Sequence, residues 1–341
     1  MTSTFAGLEG PSLGWINRDL IASGATLMHI NPYGGEDRFW MGPEGGQFSI
    51  FFKPGDPFDL DHWFTPASLD TEPFALTASD RTQARFTHAM RLANHSGTPF
   101  DLAVERDLRL LDRAAAETAL GLTLDASLRM VAFASHNTIR NTGPQAWKPE
   151  TGLLSIWILG MFNASPATTV VIPFQPGPET ERGPVVNDAY FGEVPAERLV
   201  VHEDVLFFKG DSRFRSKIGL SRQRAKDLLG SYDAVNAVLT LVQYTRPEGD
   251  ALYVNSMWEQ QEAPYAGDVV NSYNDGPPAP GAGQMGAFYE LESSSPAAAL
   301  APGERLSHVH RTFHFHGPQP ALDALARQAL GVGLETIQSA L

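Results

Sequence analysis

The sequence predicts a mainly β protein, a single large sandwich of antiparallel sheets over residues 1–341. Three observations carry this. Short apolar runs alternate with polar residues at period two along most of the chain, separated by Gly, Pro, Asn and Asp. About fifteen such runs follow one another without a clear linker, which argues for one continuous sandwich. Helical periodicity is confined to two segments near the C-terminal end.

Composition narrows the function. With 43% hydrophobic residues in 341, a substantial core is within reach. The absence of cysteine excludes disulfides, thiolate metal sites and cysteine nucleophiles, and leaves the compartment open. A formal charge of −14 and a pI near 5.1 argue against nucleic acid or an anionic membrane as partner. No apolar run approaches a membrane span, and residues 1–30 lack the basic start and apolar centre of a signal peptide. A cytoplasmic location follows if Met1 is the true start.

Taken in order, residues 1–28 read as an exposed lead-in punctuated by Thr2, Gly7, Gly10 and Gly14, with short strands at Leu20-Ile21 and 25–30. Strands are then expected at 48–52, 74–77, 84–92, 101–110 and 128–135, with a polar one at 137–141. The continuously apolar residues 153–162 must be deeply buried. Residues 168–174, 237–245 and 251–258 complete this series. Ser221 and Gly230 bracket one expected helix, and Pro320 and Gly331 a second, opening a helical tail over 320–341. Residues 271–277, Asn-Ser-Tyr-Asn-Asp-Gly-Pro, read as a turn.

The chemistry concentrates in residues 29–52, HINPYGGEDRFWMGPEGGQFSIFF. Glycines there permit close backbone approach to a ligand. Glu36, Glu44, Arg38 and Asn31 can bind hydroxyl groups in pairs, and Trp40 can stack on the C–H face of a sugar. A tight loop held by a structural Arg–Glu pair is the plainer alternative. Near the C-terminus, Phe288, Glu290 and Glu292 share one strand face, Tyr289 and Leu291 the other. Two carboxylates about 7 Å apart on one face can divide acid and base roles. Asn274 and Asp275 add donors and acceptors. His308, His310, Thr312, His314 and His316 share one parity of a further strand, so a His-x-His metal pair is conceivable, although histidines lining a polar sheet face without metal are commoner. HExxH, GxSxG and phosphate-loop patterns are absent.

Residues 29–52, NSYNDGP at 271–277 and the closing YELESSSPAAALAPGERLSHVHRTFHFHG together resemble the galactose-mutarotase-like superfamily, most closely a bacterial branch of it. The resemblance implies a twisted β-supersandwich. It covers nearly the whole chain for that branch, and only roughly the last fifty residues for aldose 1-epimerases. By that match Glu292 falls on the general base, ahead of Pro296 and the Pro302-Gly303-Glu304 turn. It also implies carbohydrate as the small-molecule partner, acid–base sugar isomerisation, and no cofactor. The epimerase proton-donor histidine has no counterpart in residues 152–162, leaving His29 and His314 as candidate donors. A lyase or hydrolase on the same fold, and a non-catalytic sugar-binding protein, are the alternatives. In the related branch a segment like MTSTFAG follows further chain. If Met1 is internal, a leading strand or signal peptide is expected before it, with a periplasmic or secreted location.

Overall fold

Period-two alternation builds most of the chain into antiparallel strands whose two faces meet different surroundings. The computed structural model describes residues 3–4, 10–279 and 281–341; the turn punctuation expected at Thr2 and Gly7 lies outside them. The first strands are β1 (Arg38–Gly42), β2 (Ala75–Ser79), β3 (Gln83–Ala93), β4 (Pro99–Leu110) and β5 (Arg129–Asn141). They continue as β6 (Ser155–Asn163), β7 (Thr168–Pro173), β8 (Leu199–His202), β9 (Val205–Lys209) and β10 (Ser216–Ser221). The last are β11 (Leu228–Asp233), β12 (Val238–Tyr244), β13 (Asp268–Asn274), β14 (Phe288–Ser294) and β15 (Arg305–His316). The helices are α1 (Arg18–Ser23), α2 (Ala67–Asp70), α3 (Arg113–Leu120), α4 (Glu179–Arg182), α5 (Gln319–Leu330) and α6 (Leu334–Ser339).

Among the described residues these strands form two sheets. A five-stranded sheet runs β1-β6-β14-β13-β10, and a ten-stranded one runs β2-β3-β4-β5-β15-β12-β11-β7-β9-β8. All neighbours pair antiparallel. Phe162, Tyr289 and Leu291 of the small sheet pack with Val170, Leu206 and Val242 of the large one. On the far side of the large sheet, Phe313 and Phe315 are covered by Leu322, Leu325 and Leu330 of α5. Burying each such side chain is worth about 1.5–3 kcal/mol before entropy is counted. Helix α5 begins with Pro320 in its first turn and stops at Gly331 in the left-handed region, as its sequence predicts. No helix among the described residues is long and apolar enough to cross a membrane.

Several local expectations are overturned. Residues 18–23 are helical, because the Asn17 side chain accepts from the Leu20 N–H at 3.1 Å and Gly24 closes the end. Residues 25–30 pair with no strand; the Asn31 side chain takes the Leu27 N–H instead. Residues 48–52 are bends, since the Ser49 hydroxyl bonds the Glu44 carbonyl and the Phe51 N–H and so competes with a ladder. The expected helix at 221–230 is absent. Leu228-Leu229-Gly230 is drawn into β11, and the wholly buried Arg224 donates to the carbonyls of Gln175, Gly177, Gly183 and Pro184.

Residues 251–258 form only an isolated bridge, Tyr253 to Ala266. The expected turn at 271–277 is strand through Asn274, flanked on both sides by β10 and β14, which satisfy its backbone. Residues 128–135 and 137–141 are one strand, β5. The lead-in is not free where described: Gly14 bridges Phe162, and Ile16 bridges Gly34. Helix α3 escapes a pattern search because half of its residues are alanine, although Asp112 and Gly121 cap it.

Candidate functional site

Register across the small sheet gathers the functional residues. Arg38 and Glu292 pair with Leu159 from opposite sides, so their Cα atoms stand about 10 Å apart at the usual strand spacing. In the next row with the same parity, Met161, Glu290, Tyr273 and Lys217 are successive partners. Trp40 pairs with Trp157 on the other side. Residues of the opposite parity, such as Phe162, Tyr289 and Ser293, meet the large sheet.

A cavity of about 400 Å³ opens on this face of the small sheet. That volume lies within the range of small-molecule sites. Trp40, Trp63, Trp157 and Trp258 form one side of its wall, with Phe191, Tyr273, Met285 and Phe288 elsewhere in the lining. Trp63 stacks on Trp258 with ring centroids 5.9 Å apart, and Trp40 meets Trp157 edge-on at 5.5 Å. Flat rings of this kind suit the apolar face of a small ligand. The polar groups reaching the cavity are His29, Arg38, Glu44, Asp61, Arg215, Lys217, Asp275 and Glu290.

Most of these are already engaged. Arg38 pairs with Asp70 at 3.2 Å and donates to the Asn31 carbonyl at 3.2 Å. Lys217 Nζ stands 3.2 Å from Glu292 Oε2, which also accepts from the Trp157 indole at 2.7 Å. Burial pulls the Lys217 ammonium down, but Glu292, Glu44 and Glu290 more than offset it and hold its pKa above the usual value. Burial, then the neighbouring Glu292 charge, pushes the Glu290 carboxyl well above the carboxylate range. Burial also raises Glu44, against the pull of Lys217.

Glu292 Oε1 is buried without a hydrogen-bond partner, and Glu290 is the neighbouring carboxyl two residues along the same strand face. Burial and the Glu292 charge thus favour the neutral form of Glu290, while Lys217 stands beside Glu292 as its counter-charge. Asp275 accepts from the Tyr273 hydroxyl and the Gly286 N–H, each at 2.8 Å, and burial raises it as well.

The whole chain, residues 1–341, matches the family described as "Family of unknown function (DUF6786)". The chain belongs to DUF6786. No curated protein matches it significantly. Among solved structures, this DUF6786 chain is similar to a galactose mutarotase-like protein from Lactobacillus casei, at 10% identity. The match covers 92% of this chain and 93% of that one, with a TM-score of 0.49. It is also similar to a galactose mutarotase related enzyme from Lactobacillus acidophilus (9% identity, 93% and 91% covered, TM-score 0.48). A candidate aldose 1-epimerase from Escherichia coli K12 gives 13% identity, 82% and 84% covered, and a TM-score of 0.47.

The DUF6786 structure distributes the residues singled out by sequence unevenly. His29, Arg38, Trp40, Glu44, Asp275 and Glu290 line the cavity. Glu292 lies directly behind it, wholly buried beneath Trp157 and Lys217. The His29 ring donates its Nδ1–H to the Trp63 carbonyl at 2.7 Å. Four residues are placed elsewhere. His314 sits between the sheets with Nε2 2.8 Å from Glu36, because β15 turns that parity inward. Glu36 is equally buried there and is shared with Thr4. Burial raises its carboxyl, yet His314 and Thr4 together hold it below the usual value. Asn31 is occupied by Asp70 and Leu27. Asn274 holds the Ser212 N–H and the Phe214 carbonyl.

His308 and His310 also face the interior, bridged by the Ser293 hydroxyl at 2.8 and 2.9 Å. Among the described residues no group of three or more His, Cys, Asp or Glu is arranged to hold a metal. Sequence reasoning missed Lys217, Arg215 and Trp157. The first two alternate with Arg213 at period two in an otherwise acidic chain, a signal that was available.

Proposed function

We propose that this DUF6786 protein binds a carbohydrate in the cavity and acts on it by acid–base chemistry of the mutarotase type. The observation that supports this best is the placing of the Glu290–Glu292–Lys217 cluster against an aromatic wall. Stacking holds a pyranose by its C–H face, while the carboxyls meet its hydroxyls. Glu290, the member of the pair on the cavity, takes the proton of the anomeric hydroxyl as its own proton passes to Glu292. Glu44, a carboxyl raised by burial on the same lining, gives a proton to the ring oxygen. The bond from the anomeric carbon to the ring oxygen breaks, the open-chain aldehyde turns, and closure on the other face returns both protons. Lys217 and Trp157 hold Glu292 in place throughout. The chain is read as one functional domain over 1–341.

The test is anomer exchange of freshly dissolved aldoses, followed by polarimetry or NMR. Glu290→Gln and Glu292→Gln should each lower turnover by about 10²–10⁴-fold, the second at a cost in stability because it leaves the buried Lys217 unpaired. Wild-type protein that leaves every aldose at the uncatalysed rate would sink the catalytic reading. The enclosure of Glu292 favours one second reading, a sugar-binding protein without turnover. Binding in the same samples without exchange would establish it.

A further inference from the structure

The cavity lining carries three cations, and two of them are neutralised by the protein itself. Arg38 has Asp70 at 3.2 Å, and Lys217 has Glu292 at 3.2 Å. Arg215 differs. Among the described residues no carboxylate forms an ion pair with it, although it lines the same cavity. Its guanidinium carbon lies 3.8 Å from the centroid of the Phe191 ring, and Phe191 in turn meets Tyr273 edge-on at 5.9 Å. Stacking fixes the plane of the guanidinium without using its N–H donors, so those beyond the one facing the Tyr273 hydroxyl can receive a planar anion.

Asp275, a carboxylate of the same lining, is committed to other donors. Asp275 accepts from the Tyr273 hydroxyl through Oδ1 and from the Gly286 N–H through Oδ2. The Tyr273 hydroxyl gives its proton to Asp275, and its oxygen faces the Arg215 donors. A half-buried cation held over an aromatic ring, with no carboxylate paired to it among the described residues, has donors left for a ligand.

We propose that Arg215 makes this cavity selective for a sugar carrying a carboxylate, a uronic-acid-type ligand, over the neutral aldose. The inference rests on the carbohydrate reading above and names its substrate class. A carboxylate fits better than a phosphate for two reasons. One unpaired guanidinium offers a planar two-pronged fork, which matches a carboxylate edge to edge. A phosphate dianion would bring twice the charge towards Asp61 and Asp275 in the same lining, with only one free cation to meet it.

The experiment is calorimetric or NMR titration of the full chain with galacturonate, glucuronate, galactose, glucose and glucose 6-phosphate. Uronates should bind about 10- to 100-fold more tightly than the matching aldoses, the scale of a charge-assisted pair. That ratio should shrink as salt rises and approach one in Arg215→Gln, with Arg215→Lys in between. The comparison within the wild-type protein stands even if a variant fails to fold. Equal affinity for uronates and aldoses overturns the inference and leaves the carbohydrate reading intact. Preference for glucose 6-phosphate over both uronates overturns the carboxylate assignment. If none of the five binds, both readings fall together.

Discussion

Lys217 and Glu292 are buried side by side, with side chains 6% and 0% exposed, so neither charge can turn to water for solvation. Each is tolerable because the other is there. Lys217 also lies 4.5 Å from the Trp157 ring centroid, and Trp157 donates to the same carboxylate oxygen, so three side chains brace one another. Removing only the cation strands the carboxylate. Lys217→Met should therefore cost about 3–5 kcal/mol of folding stability in urea denaturation. Adding Glu292→Gln to that variant should recover a good part of the loss, since the stranded charge goes with it. A loss below about 1 kcal/mol for Lys217→Met would mean that water reaches the pair.

At the scale of the element, the lead-in to β1 depends on one close approach. Gly34 has φ +88°, and a Cβ there would lie 2.2 Å from the Trp15 carbonyl oxygen. That contact sits beside the Ile16–Gly34 bridge and the hydrogen bond from Gly35 N to Trp15 O at 2.8 Å. Together they seat the N-terminal segment against the loop that leads to Arg38. Gly55 shares the left-handed backbone, with φ +86°, but has nothing within 4 Å of its Cβ position. Gly55→Ala should cost about 1 kcal/mol, the backbone penalty alone. Gly34→Ala adds a backbone collision and should cost about 2 kcal/mol or more. Equal losses in thermal unfolding would remove the role given to the close approach.

For the whole molecule, the buried polar seam between the sheets sets the response to acid. Burial pushes His308 and His310 down to about 3, against the usual 6.5. The unfolded chain therefore binds more protons than the folded one between those values. Stability contributed by keeping these rings neutral is complete above about pH 6.5 and is lost as pH falls towards 3. The slope is at most about 1.4 kcal/mol per pH unit for each histidine. Glu290 runs the other way: its raised pKa gives stability that is present below its unfolded value and lost as pH rises. Urea midpoints measured from pH 7.5 to 4.5 should fall more steeply for the wild type than for His308→Gln/His310→Gln. Parallel slopes would show that the two rings are protonated in the folded state.

Strand parity was legible from the chain alone, because alternation of side chains is covalent geometry and needs no neighbour. It put Glu290 and Glu292 on one face and Tyr289 and Leu291 on the other, and gathered His308, His310 and His314 on one side of their strand, as the structure has them. The caps of α5 were equally local. Which face meets which partner was not, since that depends on strands distant in sequence. Arg38 found Asp70, 32 residues away, where the loop's plainer reading had an Arg–Glu pair. His314 met Glu36 across 278 residues and left the cavity, while Lys217 entered it by pairing in register with Tyr273. Residues 221–230 carry helix caps at both ends, yet β7 and β12 supplied ladder partners and distant carbonyls took Arg224. Local propensity is worth tenths of a kcal/mol per residue, and burial between two sheets outweighs it.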